Sequence, residues 1–168
     1  MNYIPIDLRG RFARQARNVW LITAGVVATW VAVIIAAPLL DANFSSPIYH
    51  FFSYICHQIP NRSLHLAGHQ LAVCTRCSGV YFGLLAGIIA YPLWRPIDEI
   101  EPIPRFWLFL SLIPITIDWA LKEFGIWNNT HTSRIITGLI LGFACATFIV
   151  PALVEITRNF TAKSKRAQ

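Results

Sequence analysis

Cys56-His57-Gln58 and, after a short polar stretch, Cys74-Thr75-Arg76-Cys77 hold the residue types of this chain best suited to chemistry. Three of the four cysteines lie here, just ahead of a long apolar segment. Cys74 and Cys77 are three apart, so on a helical turn their sulfurs face the same way. With Cys56 and one histidine they complete a Cys3His set, the closed tetrahedral arrangement of structural zinc. His57 and His69 compete for the fourth place, and adjacent Cys56 and His57 seldom both reach one metal. If only three protein groups bind, a water can take the open position and be activated. A disulfide is the rival reading, because the face on which these residues are expected is oxidising. Cys74–Cys77 would then be redox-active, with Arg76 favouring the thiolate, or Cys56 would form a structural bridge with one of them. Cys145, in the middle of an apolar segment, reads as a buried inert thiol.

Four ionisable residues surround that set. Ionisable residues inside an apolar span are costly and usually face a bundle interior or a cavity. Asp118 is the candidate for proton transfer, and Lys122 one turn away offers it a plain surface ion pair instead. Arg134 opens a helix, the end at which the dipole disfavours a cation. Its compensation would be Asp118 or a lipid or substrate phosphate. Arg62 and Arg76 add to such an anion pocket, since guanidinium suits phosphate and carboxylate. Asp118 is therefore the catalytic candidate, and Arg76, Arg134 and Arg62 are the substrate-binding ones. His65 and His131 read as solvated loop residues.

The elements that must position these groups belong to a membrane protein. Hydrophobic residues make up 55% of the 168 and charged ones 13%, against roughly 25% charged in soluble domains. Residues 19–40 form an uncharged run long enough to cross a hydrocarbon core of about 30 Å. It is also longer than the apolar core of a signal peptide. Further spans are expected at residues 71–94, 106–127 and 135–156, within one membrane domain. Ser45-Ser46-Pro47 reads as a helix start, and Tyr49, Phe51, Phe52 and Tyr54 suggest a short interfacial helix. That helix should end near Pro60, with residues 61–70 as a polar loop. Gly79, Gly83 and Gly87 form a stripe that lets helices approach closely in lipid, and Gly138, Gly142 and Ala146 offer a partner stripe. The expected fold is thus an all-α membrane protein of four transmembrane helices with an interfacial helix on the outer side.

The net charge of +6 sits in the tails at residues 1–18 and 157–168. Arg9, Arg11, Arg14, Arg17, Arg158, Lys163, Lys165 and Arg166 flank the first and last spans, which orients a membrane protein and argues against nucleic acid. Both termini are expected in the cytoplasm, so the Cys/His site faces the periplasm or exterior. Membrane lipid is the expected partner, with other membrane subunits or self-association through the glycine stripes as further ones.

Cys56-His57-Gln58, Pro60, Arg62-Ser63, then Cys74, Arg76-Cys77, Gly79 and Tyr81 resemble the signature of the DUF2085 family of bacterial and archaeal membrane proteins. Asp118, followed by Arg134, Thr137 and Gly138, is similar to the family's later pattern, although Trp119 stands where a small residue is expected. The resemblance covers roughly residues 49–142. It implies that the cysteines, His57, Asp118 and Arg134 belong together, and it supplies no activity. The expectation is therefore a small integral membrane protein with an outward zinc site beside an Asp/Arg pocket, acting on a lipid-like substrate. A non-catalytic accessory subunit of a larger membrane complex and a thiol–disulfide redox protein are the alternatives, so whether it is an enzyme stays open.

Overall fold

In lipid a lone segment can satisfy its backbone N–H and C=O groups only by coiling into a helix, and the apolar runs of this chain do so. The computed structural model describes residues 6–99, 101 and 103–166, with side chains from residue 10 to 161. Arg9, Lys163, Lys165 and Arg166 of the expected basic tails lie outside the described side chains. The helices are α1 (Ile6–Ala36), α2 (Ala42–Ser53), α3 (Thr75–Ala90), α4 (Phe106–Glu123) and α5 (His131–Arg166). Among the described residues, three segments are long and apolar enough to cross a bilayer: Gly10–Leu39, Thr75–Leu93 and His131–Thr161. At 18 residues, α4 is about 27 Å long and carries Asp118, Lys122 and Glu123 in its last turns.

Helices α3 and α5 form the closest pair, α1 lies against both, and α4 packs along α5. The reason is the pair of small-residue stripes. A Cβ added at Gly83 would strike the Leu139 carbonyl, and one at Gly142 would strike the Val80 carbonyl. A Cβ at Gly87 would come within 2.6 Å of the Ala146 Cβ. The two stripes pack against each other within one chain. Toward the chain termini, Ile88, Tyr91, Ala146 and Val150 form a buried cluster, and Trp20 Nε1 donates to the Ile88 carbonyl at 2.7 Å.

Several local expectations are corrected. The second helix starts at Ala42, not at the serines, because Asp41 takes the N-cap position and Pro47 is carried inside the helix. It ends at Ser53, so Cys56 and His57 lie beyond it rather than in its last turn. The expected polar loop is a 3-10 turn (Pro60–Arg62) followed by an antiparallel hairpin, β1 (Ser63–Leu66) and β2 (His69–Cys74). The hairpin pairs Ser63 with Cys74, His65 with Gln70 and Leu66 with His69. Residues 71–74 therefore belong to a strand, and the following helix begins only at Thr75. Leu71, Ala72 and Val73 are buried with Ile34, Ala37 and Phe52. That apolar burial fixes the hairpin on the end of α1, and with it the ends of the strand that carries Cys74.

Candidate metal centre

Two separate pieces of backbone deliver the thiols. Cys56 comes from the segment after α2, Cys74 is the N-cap residue of α3, and Cys77 lies in that helix's first turn. Their sulfurs all fall within 4.8 Å of one another, and the Sγ atoms of Cys74 and Cys77 are 3.4 Å apart. Tetrahedral zinc with Zn–S bonds of about 2.3 Å sets neighbouring sulfurs about 3.8 Å apart. The cluster matches that scale. All four cysteines are free. Cys56 is buried, at 6% exposure, and its sulfur accepts the backbone N–H of Cys74 at 3.1 Å. Hydrogen bonding from Cys74 first and Cys77 second pulls the Cys56 thiol down to about 2, outweighing the desolvation that opposes it. Within the cluster Cys56 is therefore the sulfur biased toward thiolate, the form that binds metal, while the same hydrogen bonds push the Cys77 thiol up.

Gln58 explains how the Cys56 segment is held. It adopts φ +47, a left-handed conformation that costs a non-glycine residue about 1–2 kcal/mol. Its side-chain amide donates to the carbonyls of Tyr49 and Ala72, each at 2.8 Å. Two such bonds, at about 1 kcal/mol each, offset the strain and tie α2 to β2. The Tyr49 hydroxyl donates to the Gln70 carbonyl in the same brace.

Two of the expected arginines, Arg76 and Arg134, are joined to Asp118 in one network. Arg76 Nη2 donates to Asp118 Oδ2 as an ion pair. Asn129 Nδ2 donates to the same carboxylate oxygen at 2.8 Å and to the Asp118 carbonyl at 2.9 Å. Arg134 Nη2 donates to Asn129 Oδ1 at 3.1 Å. Asp118 thus serves Arg76 directly and Arg134 through Asn129, and Lys122 is not its partner in these bonds. Thr130 caps α5 by accepting the Ser133 N–H at 3.1 Å, which sets the position of Arg134 in the first turn.

A cavity of about 370 Å³ joins the two halves. Cys56, Cys74 and Cys77 line it together with Arg62, Arg76, Arg134 and Lys122. His57 also lines it, while His69 is exposed at the start of β2. Among the described residues, the cluster of ligand atoms within 4.8 Å contains the three cysteines and neither histidine. Asp118 is 8% exposed and stands behind the wall, with Arg76 and Asn129 between it and the cavity.

Two residues of this region escape a reading of the sequence. Asn129 sits in a polar run that looks like ordinary loop, with no spacing signal to mark it. His131 is not simply solvated: its Nδ1 lies 2.9 Å from Oγ1 of Thr75, which is fully buried between Cys74 and Arg76.

Membrane-crossing helices with a thiol cluster at one end of the bundle define a polytopic membrane protein with a candidate metal centre. The chain belongs to the DUF2085 family, described as predicted membrane proteins, whose model matches residues 56–148. An uncharacterised protein of Methanocaldococcus jannaschii is 38% identical over 109 residues, covering 65% of this chain and 70% of its own. An uncharacterised protein of Methanothermobacter thermautotrophicus is 33% identical over 95 residues, covering 56% of this chain and 84% of its own. No solved structure matches this chain.

Proposed function

We propose that this is a single-domain, four-span membrane protein that binds one zinc ion through Cys56, Cys74 and Cys77 beside a polar pocket for a lipid-like substrate. The observation that carries the metal reading is the convergence of Cys56, from the segment after α2, on Cys74 and Cys77 at the start of α3, with all three sulfurs within 4.8 Å of one another. In a fourth span formed by α4, the exposed Phe109, Ile113 and Ile117 face lipid, and Asp118 is sheltered by Arg76 and Asn129. Basic residues at both ends of the chain put the termini in the cytoplasm, which leaves the cysteines at the outer face. The metal supplies Lewis acidity at the cavity wall. Arg62, Arg76 and Arg134 bind the anionic part of a substrate, and Asp118 holds the arginines in place.

That engagement of Asp118 also favours a second reading, a non-catalytic accessory subunit in which thiols and ion pair are both staples. Elemental analysis of the purified protein beside a Cys74→Ser/Cys77→Ser variant tests the metal. About one equivalent of zinc in the parent, lost in the variant, supports the reading. Zinc-free parent protein whose cysteines cannot be alkylated until a reductant is added would replace it with the thiol–disulfide alternative.

A further inference from the structure

The cavity beside the thiols has a composition that a structural zinc site does not need. Zinc takes four ligands, and structural sites fill all four with protein. Here three sulfurs cluster, and among the described residues no histidine or carboxylate joins them within 4.8 Å. All three cysteines line the same cavity, so the fourth position is open to whatever the cavity holds. Arg62, Arg76, Lys122 and Arg134 are on its walls, opposed there by Glu123 and from behind by Asp118. A metal with three thiolates carries one negative charge, so these groups together retain an excess of one positive charge. Arg134 also lies in the first turn of α5, where the helix dipole adds to that field. Arg76 contributes a buried Nε–H with no acceptor, which a bound oxyanion would supply.

We infer that the cavity binds a phosphate-type oxyanion, one oxygen of which completes the metal's coordination while Arg62 and Arg134 clamp the others. This rests on the zinc reading above and names the chemistry of the substrate's head. Guanidinium forks match a tetrahedral oxyanion geometrically, and an oxygen ligand is acceptable to zinc in its fourth place. The oxyanion is either free in solution or the head group of a lipid.

Cobalt(II) loaded into the full chain in detergent reports both halves of the idea. Sulfur-to-cobalt charge-transfer absorption reads the thiol ligands, and the d–d bands read the fourth ligand. Inorganic phosphate and a short-chain phosphatidic acid are titrated separately. A d–d shift with phosphate assigns the site to the free anion, and a shift with phosphatidic acid alone assigns it to the lipid head group. Arg62→Gln, an exposed position, and Arg134→Gln should each keep the charge-transfer band and weaken the titration at least tenfold. Charge-transfer bands without a response to either anion overturn this inference and leave the metal reading intact. Absence of the charge-transfer band overturns both.

Discussion

The Arg76–Asp118 pair is where a single side chain decides most. Removing one partner of a buried pair strands the other and costs about 3–5 kcal/mol, and the 26% exposure of Arg76 puts this case near the lower bound. Asp118→Asn should therefore lower stability by about 3 kcal/mol, read as a fall in the midpoint of detergent unfolding. Arg76→Ala should cost a similar amount, and the double variant clearly less than the sum, since the residues share one contact. A merely additive double variant would show that the pair does not hold the wall together. That Asp118 and Arg134 belong near the thiols is legible in the sequence, because charge inside apolar spans demands company. Their link is not. Asn129 is neutral, and its role depends on α4 and α5 meeting at an angle that no spacing reveals.

Helix α3 owes its place to glycine. At Gly142 an added methyl meets the Val80 carbonyl, whereas at Gly25 in α1 it meets nothing within 4 Å. Overpacking a tight contact costs typically 1–3 kcal/mol, while replacing a mid-helix glycine with alanine gains roughly 0.5–1 kcal/mol. Gly142→Ala should thus lower resistance to unfolding in mixed micelles, and Gly25→Ala should leave it equal or raise it. The same outcome at both positions would contradict the close α3–α5 contact. Matched four-residue spacing made this pairing readable in advance. The hairpin was not readable, because the alternation of Ser63-Leu64-His65-Leu66 runs for only four residues and the register between Ser63 and His65 is irregular. Ala67 and Gly68 at its tip take φ values of 52 and 82, a turn signature that an Ala-Gly pair announces weakly.

For the molecule as a whole, charge argues for one orientation in the membrane. Arg14 and Arg17 on α1 lie beside Asp98 of the α3–α4 link around one hollow. Gln15 donates to the Thr161 hydroxyl at 3.0 Å, and the Arg158 guanidinium stacks 4.5 Å from the Phe12 ring centroid. The two long helices thus keep company at the basic end. A fluorescent reporter that matures only in the cytoplasm should glow when joined to either terminus and stay dark when inserted between α4 and α5. A bright insertion there with both termini dark would invert the proposed orientation, and one with a bright N-terminus would remove α4 from the spans.

The knot around Asp118 has a consequence for how the chain is made. Asp118 lies on α4, Asn129 just before α5 and Arg134 within it, while the sulfur ligands are translated much earlier. A nascent chain paused before α5 leaves the ribosome would present its thiols with one wall of the chamber missing. Helix α5 must enter the bilayer, glycine face toward glycine face, before that wall closes. The site is therefore completed only once α5 is in place, and a chain truncated upstream of His131 should be treated by quality-control proteases as unfinished.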